Sequence, residues 1–216
     1  MYDAVVQVDV ARHRLRSLIL DGTYQPGARL TEVQAAAALS MSRTPVREAL
    51  RGLIVDGLVR PTGRGVEVTA LDLDALHDAY AVRGALEALT AQLAAARQRE
   101  GRVAPAELES LLETNAAAAE ATAAGRLEEA VDHNRRFHRQ IAVLAANGLA
   151  LEMLDRIWDQ IIVSTRATLV AGSRRIRVTD QHDRLLAAIR EGDSRAAGAI
   201  ARRHALDTRA SAIKEP

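Results

Sequence analysis

Two sets of side chains in this 216-residue chain are spaced for chemistry. The first is cationic. In Ser42-Arg43-Thr44-Pro45-Val46-Arg47-Glu48-Ala49-Leu50-Arg51, the arginines recur every fourth residue and share one face of a helix. Val46, Leu50, Leu53 and Ile54 fall on the opposite face. Ser42 is expected to cap this helix, and Pro45 falls in its first turn, where the missing N–H has no intrahelical partner. Such a face suits the DNA major groove: Arg43, Arg47 and Arg51 can reach guanine edges, while Thr44 and the first-turn N–H groups hold phosphates.

The second set is imidazole. Leu127, Val131, Asn134, His138, Ile141 and Ala145 form one stripe of an expected helix over 126–146. Val178, His182, Leu185 and Ile189 do the same over 175–191, and Ala197, Ile200 and His204 over 193–213. Three of the six histidines thus point inward from three helices, whereas His13, His77 and His133 do not share the pattern. Buried imidazoles are costly unless hydrogen-bonded or metal-bound. With Asn134 one turn before His138, the set suits a divalent metal ion such as zinc, nickel or manganese.

A third inward stripe, Leu76, Tyr80, Arg83, Glu87, Thr90 and Ala94, places Arg83 and Glu87 at i and i+4. Two readings stay open. They form a structural ion pair, or Arg83 binds an anionic effector in bidentate fashion beside Tyr80, with Glu87 orienting it.

The elements that must position these groups divide the chain at about residue 70. Leu15, Leu18 and Ile19 mark a first helix over 5–21, Tyr24-Gln25-Pro26-Gly27 a turn, and Thr31 the cap of a short helix to Leu39. Ser40-Met41 leads into the basic helix, and Gly57 ends it. Leu58-Val59-Arg60 and Val66-Glu67-Val68 read as strands around Thr62-Gly63-Arg64-Gly65, a hairpin with one cation at its tip. Residues 1–70 are therefore expected to form a winged helix-turn-helix. From Leu71 onward strand signals vanish, and helices are expected over 72–99, 105–124, 126–146, 149–171, 175–191 and 193–213, with Gly172-Ser173 among the breaks. The chain is mostly α, and residues 71–216 form an all-α antiparallel bundle built from small aliphatics, since aromatic residues are only 2%. Asp72 is expected to cap its first helix.

Composition narrows the class. Without cysteine there is no disulfide or thiolate site. No apolar run approaches the roughly 20 residues of a membrane span, and no signal-peptide pattern opens the chain, so a cytoplasmic location is expected. Net charge is +1, but Arg43, Arg47, Arg51, Arg60 and Arg64 face only Glu48 and Asp56 between residues 43 and 64. A local basic patch on a near-neutral chain fits a sequence-specific binder.

Residues 12–68 resemble the DNA-binding domain of the GntR family of bacterial transcription regulators. The resemblance rests on Pro26-Gly27-Ala28-Arg29-Leu30-Thr31-Glu32, Ser42 through Leu50, and Gly57-Leu58-Val59. It implies operator contacts by Arg43, Thr44 and Arg47, with Arg64 and Gly65 entering the minor groove. Ala35 stands where the family usually has leucine, and Ser40 where it usually has glycine. The second half resembles the FCD effector domain of the FadR-like branch, through Arg83-Gly84-Ala85-Leu86-Glu87, Asn134-Arg135-Arg136-Phe137-His138, Thr179-Asp180-Gln181-His182, and His204 after Gly192-Asp193. Six helices resemble the shorter, VanR-type members. Metal-binding members use an aspartate and three histidines; Asn134 replaces that aspartate and offers a neutral oxygen.

These readings combine into a ligand-responsive regulator, a repressor, binding a near-palindromic double-stranded DNA operator as a homodimer and answering to a small organic acid at the metal site. The alternative is a metal sensor in which the ion is the signal. A metal-dependent enzyme is more remote, because no inward carboxylate is evident beside the histidines and Glu87 is committed to Arg83.

Overall fold

The computed structural model describes residues 2–171 and 177–212. The Gly172-Ser173 break and the side chain of Val178 lie outside what is described. The chain folds into two compact units, one reaching Asp72 and including Asp159–Arg166, the other running Leu73–Trp158 and resuming at Ala167.

In the first unit, α1 (Tyr2–Leu20), α2 (Glu32–Leu39) and α3 (Arg43–Val55) surround a core of Leu15, Ile19, Leu39, Val46, Leu50 and Leu53. Thr31 caps α2 reciprocally: its Oγ1 accepts from Gln34 N, and Gln34 Oε1 accepts from Thr31 N. Ser42 occupies the N-cap position of α3 with extended backbone, but its side chain makes no capping bond, contrary to expectation. The turn between α2 and α3 passes through Ser40 in the left-handed region, φ 53 and ψ 44. That conformation explains the usual glycine at this position.

The wing pairs β2 (Val59–Thr62) with β3 (Gly65–Val68) antiparallel, Thr62 opposite Gly65, leaving Gly63 and Arg64 at the tip. A further strand, β1 (Arg29–Leu30), lies on the other side of β3, giving the order β1-β3-β2. Two residues carry too little alternation for this strand to be legible beforehand. Its approach fixes Gly65, where a Cβ would lie 2.2 Å from Leu30 O. Residues 159–166 complete this unit: Val163 joins the core, Arg16 and Asp159 form a two-bond pair at 2.5 and 2.6 Å, and Gln160 donates to Asp56 O at 2.7 Å.

The second unit is helical: α4 (Leu73–Arg99), α5 (Pro105–Ala123), α6 (Leu127–Leu144), α7 (Gly148–Ala171, apart from its segment in the first unit), α8 (Arg177–Glu191) and α9 (Ser194–Ala212). α4 packs chiefly on α9 and also meets α6 and α8, while α5 packs on α6. Ala91, Ala94, Ala95, Ala197, Ala201 and Ala205 are buried, and at Gly198 a Cβ would sit 2.5 Å from the Gln92 amide. Small side chains draw the helices together, and Phe137, Leu111, Ile141, Leu185 and Ile189 fill the remaining core.

Candidate functional sites

On α3 the amphipathic division holds. Arg43, Thr44, Arg47 and Arg51 are exposed, while Val46, Ala49, Leu50 and Leu53 are buried. Arg43, Arg47, Arg51, Arg64 and Gly65 line one cleft of about 560 Å³ between α3 and the wing. Sequence reading missed Glu32, which lines the same cleft. Arg47 donates to both Glu32 oxygens at 2.7 and 2.9 Å, and Arg43 reaches the same carboxylate at 3.4 Å. The Arg47 hydrogen bonds hold the Glu32 carboxyl below its usual pKa, and the same bonds raise Arg47. Glu32 is 15 residues from Arg47, so no helical spacing announced the pairing. Arg51 is held more locally by Glu48 at 2.8 Å. An anion that takes the Nε and Nη2 edge of Arg47 would displace Glu32, which an exposed ion pair permits at little cost.

In the bundle, His138 from α6, His182 from α8 and His204 from α9 meet in space. Their ring centroids lie 4.7 to 5.1 Å apart, and one nitrogen of each falls within 4.8 Å of those of the other two. All three are at most 3% exposed. Phe137 stacks on His182 with centroids 4.4 Å apart, fixing the ring plane. His182 Nδ1 faces Asn115 Oδ1 at 3.2 Å, and His204 Nδ1 faces Gln181 Oε1 at 3.0 Å. The Nε2 atoms of His138 and His182 are buried without a hydrogen-bond partner. Burial, then the neighbouring His204, His182 and Arg83, pushes His138 well below the ordinary histidine pKa. Burial and then Arg83 bring His182 down to about 3. The His138 and His182 rings are therefore neutral near pH 7 and carry lone pairs. A nitrogen-rich donor set with orphaned lone pairs fits a divalent ion, so these three residues could hold one. Asn134 sits half-buried, one turn before His138.

Arg83 and Glu87 are buried side by side on α4. Arg83 Nε donates to Glu87 Oε1 at 2.7 Å, Nη1 lies 3.5 Å from Thr208 Oγ1, and the guanidinium carbon is 5.5 Å from the Tyr80 ring centroid. Burial opposes the charge on Arg83, but Glu87 and Tyr80 outweigh it and raise the pKa. Trp158 Nε1 also donates to Glu87 Oε1, at 3.0 Å. The expectation that no carboxylate stands beside the histidines needs correction. Only one Glu87 oxygen is taken by Arg83 and Trp158; Oε2 has no hydrogen-bond partner and lies 3.8 Å from His138 Nδ1. Asn115, Gln181 and Trp158 went unassigned because each meets its partner from another helix, up to 71 residues away.

The first unit thus has a winged helix-turn-helix fold, and the second is a helical unit that buries three clustered histidines. Comparison with known proteins gives the family. Residues 7–68 match the family of bacterial regulatory proteins called the gntR family, and residues 78–207 match the FCD domain. The chain belongs to the GntR family of transcription regulators, in the branch that carries an FCD effector-binding domain. It is 27% identical over 186 residues to the uncharacterized HTH-type transcriptional regulator YdhC of Bacillus subtilis, covering 86% of this chain and 81% of that one. Its fold is similar to that of E. coli McbR/YncC, with TM-score 0.80 and 22% identity over 94% of each chain. It is also similar to a GntR regulator of Rhodococcus sp. RHA1, with TM-score 0.72 and 25% identity, covering 95% and 96% of the two chains. The Bacillus and Rhodococcus relatives are named as transcriptional regulators. Among the described residues no helix is long and apolar enough to cross a membrane.

Proposed function

We propose that the chain is a repressor that binds a near-palindromic DNA operator as a homodimer and releases it in response to a small carboxylate. Residues 1–70 are the DNA-binding domain and residues 71–216 the ligand-binding and dimerisation domain. Arg43, Arg47 and Arg51 on α3 read the major groove, Thr44 holds a phosphate, and Arg64 with Gly65 at the wing reaches the minor groove. Two-fold symmetric binding matches a palindromic site.

In the helical domain, His138, His182 and His204 would hold zinc, nickel or manganese, with Asn134 as a neutral oxygen ligand. The ion would supply a Lewis-acidic anchor for a carboxylate. Arg83 and Tyr80 would then complement the effector's negative charge, with Glu87 orienting Arg83. The observation that carries this reading is the pair of orphaned, buried Nε2 atoms on His138 and His182, within reach of His204. An effector shifts operator affinity only if it binds the two states unequally.

One observation favours a second reading, in which the ion itself is the signal. Arg83 is already engaged by Glu87 and Thr208, and is 5% exposed. Operator binding titrated with metal alone, then with added mono-, di- and tricarboxylates, separates the two. A response to metal that no carboxylate alters would make the protein a metal sensor. A response only after carboxylate addition supports the effector reading.

A further inference from the structure

Two of the three histidines are held from behind in the same way. Asn115 of α5 presents Oδ1 to His182 Nδ1 at 3.2 Å and donates from Nδ2 to Asp183 Oδ1 at 2.6 Å. Gln181 of α8 presents Oε1 to His204 Nδ1 at 3.0 Å and donates from Nε2 to Asp207 Oδ2 at 2.7 Å. Each histidine is thus followed by a carboxamide and then a carboxylate. His138 is different: its Nδ1 lies 3.8 Å from a carboxylate oxygen, Glu87 Oε2, beyond hydrogen-bond distance.

We propose that Asn115 and Gln181 are positioning residues that fix His182 and His204 as Nδ1–H tautomers, with Asp183 and Asp207 setting the direction of both relays. The logic follows from the donor inventory. An ionised carboxylate only accepts, so the amide NH2 must turn toward the aspartate. The amide oxygen then faces the imidazole, and it accepts only a protonated Nδ1. A neutral ring carries a single N–H, so the lone pair falls on Nε2. The surface-exposed Asp183 therefore decides, two bonds away, which nitrogen of a buried histidine is basic.

A carboxamide in the middle has a further effect. It supplies an acceptor without placing a charge against the ring, so His182 is oriented while remaining a neutral ligand. The relays also interlock the helices: α5 orients a histidine of α8, and α8 orients one of α9. The consequence for metal affinity rests on the metal-centre reading above; the tautomer itself does not. Partners behind metal-binding histidines typically change metal affinity by roughly 10- to 100-fold when removed.

The test uses the full-length, chelator-treated protein with 15N-labelled histidine, at a pH above the ordinary histidine range. Long-range 1H–15N correlation spectra distinguish the two tautomers, with solvent-exposed His13 as an internal mixed-tautomer reference. His182 and His204 are expected to show protonated Nδ1 and unprotonated Nε2. Asp183→Asn, at an exposed position, should convert His182 to a tautomer mixture while leaving His204 unchanged. Asp207→Asn should do the reverse, but Asp207 also binds Arg203, so Asp183→Asn carries the decision. Zinc affinity of Asp183→Asn should fall roughly tenfold or more. An Nε2–H tautomer at His182 in the wild type, or an unchanged His182 spectrum in Asp183→Asn, overturns the proposal. A wild-type protein with the Nδ1–H tautomer that takes up no zinc, nickel or manganese would support the relay and defeat the metal reading instead.

Discussion

Arg43, Arg47 and Arg51 keep 62%, 45% and 66% of their side-chain surface in water. His138, His182 and His204 keep 3% or less of theirs. The arginines are held by exposed carboxylates, through contacts that salt screens and a competing anion can replace. The histidines are fixed by rings, amides and helix packing. A surface that must leave one partner for another needs weak, exchangeable contacts. A site that must hold one geometry needs the cost of ordering met during folding. The two regions divide these requirements between them.

The sharpest way to break the comparison is to remove the inner site. Purified protein should retain a divalent ion, and His138→Ala, His182→Ala and His204→Ala should each deplete it, as read by elemental analysis. Because the ligands come from three helices, stripping the ion should also lower the melting temperature. Occupancy at a thousandfold excess over Kd is worth about 4 kcal/mol. Asn134→Ala should weaken binding less than any histidine change, since it removes at most a neutral oxygen. Wild-type protein that stays metal-free after incubation with zinc, nickel and manganese would sink the reading.

Next in size is the buried pair. Arg83→Ala strands Glu87, and uncovering a buried charge costs roughly 3–5 kcal/mol. If Arg83 recognises effector, the double change Arg83→Ala, Glu87→Ala should regain melting temperature without regaining the carboxylate response. A double variant that recovers both would make Arg83 structural.

The metal-free histidine centre should also be sensitive to acid. His182 titrates near 3 when folded and near 6.5 when unfolded, because burial opposes the charged ring. Between those values the unfolded chain binds the extra proton. Stability should therefore be full above about pH 6.5 and decline as pH falls toward 3. His138, shifted the same way, adds to the decline. A melting temperature flat through that window would mean the rings are not buried neutral. The arginine surface should show no such acid step until Glu32 protonates below its usual range.

Smaller again is the loss of one outer contact. Arg47→Ala should reduce operator affinity roughly 10- to 100-fold if it reads a base, with much less effect on random duplex. Equal affinity for both duplexes before and after the change would place recognition elsewhere.

How much of this was legible in the sequence differs between the regions for a physical reason. The basic face of α3 and the inward histidines follow from spacing along single helices, which the chain writes directly. Glu32 under Arg47, Asn115 behind His182 and the two-residue strand β1 follow from approaches between elements distant in sequence, which no local period encodes. The uncapped Ser42 shows the same limit. Residue type named the cap position, but side-chain rotation decides whether the bond forms. Asp159 is the extreme case: a residue within a helix expected to belong wholly to the bundle pairs with Arg16 of α1.

The smallest expected effect compares the backbone of the two regions. Among the described residues each unit holds one non-glycine residue in the left-handed region: Ser40 at φ 53 after α2, and Ala146 at φ 52 after α6. Left-handed backbone costs an L-residue roughly 1–2 kcal/mol, and glycine returns part of that gain as unfolded-state entropy. Ser40→Gly should therefore stabilise its unit by about 0.5–1 kcal/mol, and Ala146→Gly its own by a similar amount. At Ser40 the backbone is pinned on both sides, since Ser40 N donates to Ala37 O and Met41 N to Ala36 O. Relief there cannot come by moving the turn, so the gain should appear in full and leave operator affinity unchanged. At Ala146, Ala146 N donates to Val143 O at 3.0 Å, and Ala150 N donates to Asn147 Oδ1 at 3.1 Å. Differential scanning calorimetry of the two variants reads each gain separately. A Ser40→Gly protein that melts no higher than wild type would show that the turn into the recognition helix carries no strain, and that serine stands there without penalty.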